Sequence, residues 1–421
     1  MVRSAIQKNP RPVRADLVRS AVLEVYAAVR SEGQLADRAL DRVLRRERRL
    51  YSQERRAVAE SVYGLLRQER RLDFVLFGGA PPPKLGWSEL YEARLSALEA
   101  GAASAPLPEN LPMLDRVGLE GSLPPFLAKM LVEELGEANA LELSRALASR
   151  APLTVRANLL KGDRATLAER LSAEGVRSSA TRWSPLGLTL EARGNALALQ
   201  AYEEGRFEIQ DEGSQLIALL MEAKPGERVV DACAGAGGKT LALAAAMQNK
   251  GELWAFDVDA KRLGELKQRA RRAGVHNVRI QALSAEPSGS DPLERLRGKS
   301  DRVLVDAPCS GLGTLRRSPD ARYRLKPEDF IRFPALQASI LVRFAPLVRP
   351  GGRLVYATCS LARQENEAVI EEFLASKAPF RAVSIGPLLG QPALAQGPFL
   401  RLYPHRHGTD GFFAAVLERT A

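Results

Sequence analysis

The stretch "VVDACAGAGGKT", Val229–Thr240, decides the fold. An apolar run empties into a glycine-rich turn that ends in Lys239 and Thr240 and continues into "LALAAAMQ", a pattern that reads as strand, turn, helix. A Walker loop requires Gly-x-x-x-x-Gly-Lys-Ser/Thr, and its first glycine would fall on Cys233. The dinucleotide fingerprint Gly-x-Gly-x-x-Gly accepts Gly235 and Gly237 but meets Thr240 where its third glycine belongs. What remains is a nucleoside-type ligand resting on main chain, because Gly235, Gly237 and Gly238 carry no Cβ to hold it away. Asp257 closes the next strand, "ELWAFD", twenty residues after Gly237. From there a carboxylate accepts ribose hydroxyls. A ligand with ribose and no pyrophosphate suits a turn that misses both phosphate patterns, and S-adenosylmethionine is the candidate.

Outward from this turn the sequence alternates strand and helix. "RVVDA", "ELWAFD", "NVRIQA", "DRVLVDA" and "GRLVYATCS" read as strands, with "KTLALAAAMQ", "AKRLGELKQRARRAG" and "PALQASILVRFAPLV" as helices between them. Such alternation predicts an α/β domain, a mostly parallel sheet with helices on both faces, and ligands beyond the C-terminal strand ends. It occupies residues 205–421. Upstream, "PLTVRANLL", a helix over about Ala165–Glu174 and "LGLTLEA" predict a small α+β unit over 121–204. Residues 1–120 carry apolar side chains at helical spacing, among them Leu17, Ala21, Val25, Val58, Val62 and Leu65, and predict an all-α module with its linker.

The chain has 421 residues, 45% of them hydrophobic, ample for several cores. No uninterrupted apolar window long enough for a membrane helix occurs, and "MVRSAIQKNPRPVRADL" has no apolar signal core. The expectation is a cytoplasmic protein, away from membranes and with no obligate protein partner evident. Three cysteines and three histidines with no Cys-x-x-Cys pair predict no disulfide set and no metal site. The net charge of +11 is uneven: residues 1–80 hold 17 basic and 10 acidic side chains. A basic module on a nearly neutral remainder points to a polyanion, RNA or DNA.

"DRVLVDAPCSGLGTLRR" puts Asp306 and Cys309 just past the fourth strand of the series, and "GRLVYATCSLARQENE" puts Cys359 just past the fifth. Adjacent strand ends bring two thiols together beside a methyl donor. The matching substrate is a pyrimidine, whose C5 becomes nucleophilic once a thiolate adds to C6. Asp306, protonated in a dry pocket, would stabilise charge arriving at N3. Lys239 is a cation placed to favour a thiolate.

"DACAGAGGKT", "AFDVDAKR", "DAPCSGLGTLRRSPD", "YATCSLARQENE" and "GTDGFF" resemble, in order and spacing, the RNA 5-methylcytosine methyltransferases. "FEIQDEGSQ" and "PLTVRAN" extend the resemblance upstream, and the first hundred or so residues resemble the NusB-type helical RNA-binding domain, as in the bacterial Sun, Fmu or RsmB subgroup. The resemblance implies a Rossmann-like S-adenosylmethionine-dependent methyltransferase domain acting on cytosine C5 in RNA, small-subunit ribosomal RNA first and tRNA second. It implies Cys359 as nucleophile, Cys309 as the thiol that helps release product, and Asp306 on the cytosine edge near the donated methyl. Cys233, Ala234, Gly235, Ala236, Gly237, Gly238 and Lys239 would hold the donor, with Asp257 on its ribose. Arg156, Arg316 and Arg317 would contact RNA phosphate.

The chain departs from the family in two places. Ala236 stands where relatives commonly have proline. Ser284, or Glu286 reaching back, stands where an aspartate usually meets the adenine amino group. His276 reads as a helix C-terminal cap; His405 and His407, in "YPHRHGTDG", face RNA in this reading. A noncatalytic RNA-binding or ribosome-assembly factor with the same fold is the competing class.

Overall fold

The computed structural model describes residues 13–191, 195–284 and 291–421. Residues 1–12 and Glu286 lie outside them. The chain divides into two units. The first runs to Ser149 and also takes in Leu315–Arg324; the second comprises Arg150–Thr314 and Leu325–Ala421.

The first unit is helical, as the 3.6-residue spacing requires. Helices Ala15–Arg30, Ser52–Phe77 and Trp87–Glu99 bury Val22, Val25, Val58, Val62, Leu65, Leu66 and Leu95 in one core. A polar network crosses that core. Arg94 pairs with Asp73 through two bonds of 2.7 Å and donates to the Tyr26 hydroxyl at 3.1 Å, while Tyr26 and Arg30 both donate to Glu69. Helices Pro125–Leu135 and Glu137–Ala148 lie on this unit's side of the division at Ser149. Arg322 is fully buried and donates to the carbonyls of Gly121 and Leu147, where two helices end. A cation there meets the negative ends of both helix dipoles.

The second unit holds two sheets. Strands β1 (Thr154–Ala157), β2 (Ser178–Ala180), β3 (Gly187–Leu190) and β4 (Phe207–Ile209) form an antiparallel sheet in the order β2-β3-β1-β4. The α+β unit therefore extends past the predicted residue 204, because β4 pairs with β1. The large sheet contains β5 (Arg228–Asp231), β6 (Glu252–Asp257), β7 (Val278–Ala282), β8 (Ser300–Asp306), β9 (Val348–Thr358), β10 (Phe380–Val383), β11 (Ala395–Gln396), β12 (Phe399–Leu402) and β13 (Phe412–Arg419).

Its order is β11-β12-β13-β9-β8-β5-β6-β7, with β10 on β13. The five strands read from the sequence pair in parallel, and the four C-terminal ones add an antiparallel edge. Successive residues serve opposite faces, as a pleated strand dictates. Val229, Leu253, Leu304 and Val355 enter one core, and Val230, Trp254, Val303 and Tyr356 the other. Leu341 and Phe344 of helix Asp329–Phe344 pack on the second core. That helix with its following turn to Leu347 is long and apolar enough, by length and composition, to cross a membrane, where the sequence analysis expected no such segment.

Arg94→Met would leave Asp73 and Glu69 buried without that guanidinium. The helical unit should lose about 3 kcal/mol, the usual cost of breaking a buried pair from one side. Amide exchange in helices Ala15–Arg30 and Ser52–Phe77 should accelerate accordingly; unchanged protection would show that the network is energetically idle.

Candidate active site

Parallel pairing sets Asp231 opposite Ala255 and Leu304, and Asp306 opposite Ala357. The turn after β5, the carboxylate ending β6 and the loops after β8 and β9 therefore emerge from one end of the sheet. Cys309 and Cys359, predicted to meet, stand with their sulfurs 3.3 Å apart. The loop after Cys309 is stitched to the other: Gly313 N–H donates to the Cys359 carbonyl at 2.9 Å, and Gly411 N–H to the Gly313 carbonyl at 2.8 Å. A Cβ at Gly313 would lie 2.2 Å from the Gly411 carbonyl oxygen, so only glycine fits. The hydrogen bond to Cys359, and then burial, push the Cys309 thiol well above its ordinary range. Cys309 thus keeps its proton in the resting site.

Asp306 and Lys239 form an ion pair of 2.6 Å. Burial alone would lower the Lys239 ammonium, but Asp306, with Cys359 and Asp231 behind it, leaves it raised. A protonated carboxyl in a dry pocket was expected at Asp306; the structure pairs that side chain with a cation.

The glycines of the turn also answer to the protein behind them. Gly235 (φ 53°) and Gly237 (φ 87°) adopt left-handed backbone. A Cβ on them would strike the Arg262 guanidinium at 2.6 Å and the Leu266 side chain at 2.1 Å. Their smoothness serves helix Ala260–Ala273 packed behind the turn. Gly237 N-caps helix Gly238–Ala246. Ala234 is buried, and burial holds the Cys233 thiol well up. Asp257 accepts Gly235 N–H at 2.7 Å and Asp259 N–H at 2.8 Å, one on each oxygen. A carboxylate has about four lone-pair sites, so both oxygens retain capacity for a vicinal diol.

Arg156 is corrected. It is 2% exposed, and its guanidinium donates to the Gly238 carbonyl at 2.7 Å and to Gln210. Arg269 donates to the Ala236 carbonyl at 2.7 Å, and Glu208 binds Arg269 and Arg272. Two arginines thus grip the turn's carbonyls from beneath, and Arg156 is withdrawn from any phosphate. Arg316, 5% exposed, and half-buried Arg317 belong to the segment Leu315–Arg324 of the helical unit; burial takes Arg316 too out of reach of RNA.

Ser284 is exposed two residues beyond β7. His407 faces inward: it is 9% exposed, its Nδ1 accepts the Tyr403 N–H at 2.9 Å, and its ring packs on Trp183 and Tyr403. Burial and then Arg406 hold His405 near about 4. His276 is exposed, and Gly274 at φ 75° ends the preceding helix.

The sequence of these motifs now meets known proteins. Residues 218–418 match the family described as 16S rRNA methyltransferase RsmB/F, and residues 123–196 match its ferredoxin-like domain. A probable ribosomal RNA small subunit methyltransferase B of Synechocystis is 31% identical over 91% of this chain and 95% of its own length. The chain belongs to the RsmB/F family of RNA methyltransferases. Fission yeast's 25S rRNA (cytosine-C(5))-methyltransferase nop2 is 32% identical over 70% of this chain and 50% of that protein. The solved structure of a methyltransferase homolog from Pyrococcus horikoshii superposes with a TM-score of 0.62 at 30% identity, covering 74% of this chain and all of that one.

Sequence reasoning missed Asp231. It is 1% exposed, one oxygen accepts the Thr240 hydroxyl at 2.7 Å, and the other is buried without a partner among the described residues. An orphaned carboxylate oxygen under the turn fits a methyl donor that carries an amino group. Its signal was present, a charged residue closing an apolar strand. Burial pushes Asp231 up to about 7, against the Thr240 hydrogen bond and with Asp306 assisting. A carboxyl raised by folding is stabilised as the acid, so its contribution is present below the unfolded value and is lost as pH rises towards 7. Asp231→Asn should therefore gain Tm over the native chain between about pH 4 and pH 7, with the difference levelling above; a pH-independent difference would contradict the assignment.

Proposed function

We propose that this enzyme methylates C5 of a cytosine in RNA, small-subunit ribosomal RNA first, through a bond between Cys359 and pyrimidine C6. The observation that carries the reading is the pair of thiols 3.3 Å apart at adjoining strand ends beside the Lys239–Asp306 pair. The cytosine-C(5) activity in the name of the yeast relative supports the same chemistry. S-adenosylmethionine, held by the turn Cys233–Lys239 with Asp257 at its ribose and Asp231 near its amino group, would supply a methyl group from a sulfonium.

The chain's own residues divide the remaining work. Cys359 as thiolate adds to C6, and the electron pair moves through the ring towards N3. The Asp306–Lys239 pair holds a proton next to that edge and neutralises the charge as it arrives. Once the carbon–sulfur bond has taken Cys359 out of hydrogen bonding, the first of the causes that held Cys309 up is gone, and Cys309 gives its proton to solvent. It then accepts the C5 proton. The C6–sulfur bond breaks, its electron pair returns to Cys359, and the proton on N3 goes back to the pair. The target base must be unstacked, which favours loops, and the basic helical unit, NusB-like in this reading, supplies salt-dependent RNA affinity.

Cys359→Ala should abolish transfer of tritiated methyl to unmodified small-subunit rRNA while RNA binding persists. Cys309→Ala should methylate once and accumulate a denaturant-resistant enzyme–RNA adduct. Robust turnover by the first variant would remove the nucleophile assigned here. Arg156→Met should weaken donor binding about tenfold and leave RNA affinity unchanged, by calorimetry with S-adenosylhomocysteine and filter binding with RNA; the reverse pattern would restore Arg156 to the RNA interface.

A further inference from the structure

Strand pairing ends before either thiol is reached, since β8 stops at Asp306 and β9 at Thr358, and the Gly313 N–H to Cys359 carbonyl bond joins the loops beyond. Beyond those ends a buried carboxylate ties the two loops together. Glu365, fully buried, accepts the Ser310 N–H at 2.8 Å, the Ser310 and Ser360 hydroxyls, and Gln337 Nε2 at 3.0 Å. Ser310 follows Cys309 and Ser360 follows Cys359, so one side chain grips the neighbour of each sulfur. Gln337 Nε2 also donates to the Pro308 carbonyl at 2.9 Å, tying down the other side of Cys309.

The carrier of this carboxylate is itself fixed. The Tyr356 hydroxyl donates to the Glu365 carbonyl at 2.6 Å, and Asn366 Nδ2 donates to the Ser360 carbonyl at 3.1 Å. Four donors fill the four lone-pair sites of the carboxylate, which is what a charge so deeply buried requires. Glutamine in its place removes the charge and keeps one acceptor oxygen: its NH₂ either meets the Ser310 N–H and Gln337 Nε2, which only donate, or forces both serine hydroxyls to turn round and accept.

We propose that Glu365 is the positioning residue that holds the Cys309 loop against Cys359 and thereby sets the release step. This rests on the covalent reading above. Cys359 stays anchored at the end of β9 without Glu365, so it still adds to C6 and C5 still receives its methyl group. The Cys309 sulfur, however, no longer sits where it accepts the C5 proton, so the C6–sulfur bond does not break.

The test follows the partition between released product and covalent adduct, a ratio independent of how much enzyme is folded. Native enzyme, Glu365→Gln, Ser310→Ala, Cys309→Ala and Cys359→Ala are each incubated with an unmodified small-subunit rRNA transcript and tritiated S-adenosylmethionine, then resolved on denaturing gels. Glu365→Gln is expected to shift the ratio at least tenfold towards adduct, as Cys309→Ala does, and Ser310→Ala severalfold. If Glu365→Gln does not fold, Ser310→Ala decides. Trapping by Cys309→Ala alone, with the other two partitioning like native enzyme, overturns the role of Glu365 and leaves the proposed chemistry standing. Absence of adduct from Cys309→Ala overturns the release chemistry itself, and the role of Glu365 with it.

Discussion

Parallel pairing of β8 with β9, with Asp306 opposite Ala357, is the constraint on which the site depends. Both strands are buried on both faces, so a slip of one residue would turn Val303, Val305, Leu354 and Tyr356 into the wrong core. That penalty fixes the register. The register in turn fixes where Cys309, three residues past one strand, and Cys359, one past the other, leave the sheet. Precision at two sulfurs is thus inherited from packing many ångströms away.

The turn after β5 is held by a different means. Its carbonyls at Ala236 and Gly238 face Arg269 and Arg156, whose charge is balanced by Glu208, 2% exposed. Paired charges of this kind contribute little to stability on balance, but breaking one partner is costly. The arrangement makes the turn stiff without a proline at Ala236. Burial, opposed by Glu208 and assisted by Arg269, lowers the Arg156 guanidinium to about 10, still a cation at neutral pH.

The parallel sheet, the glycine turn and the meeting of the two thiols were all legible in the sequence, because strand–helix alternation and strand-end motifs are local patterns with one geometric solution. Helices Pro125–Leu135 and Glu137–Ala148 are amphipathic, and nothing in their own spacing says which neighbours cover them. The antiparallel edge β10–β13 was missed because its strands are short or follow glycine-rich text. Arg156 was assigned to RNA on the family resemblance; an arginine in a strand whose four residues are all buried has to satisfy its donors internally. Glu365 sat unread in "RQENE", where a carboxylate in a charged run looks solvated until the fold wraps Ser310, Ser360 and Gln337 around it.

The central claim is that a covalent bond forms from Cys359 and from no other side chain. Small-subunit rRNA carrying 5-fluorocytidine offers no C5 proton to remove, so the adduct cannot resolve. Peptide mass spectrometry after digestion should find the nucleotide on the peptide containing Cys359. A nucleotide on Cys309, or no adduct with fully methylation-competent enzyme, would contradict the account.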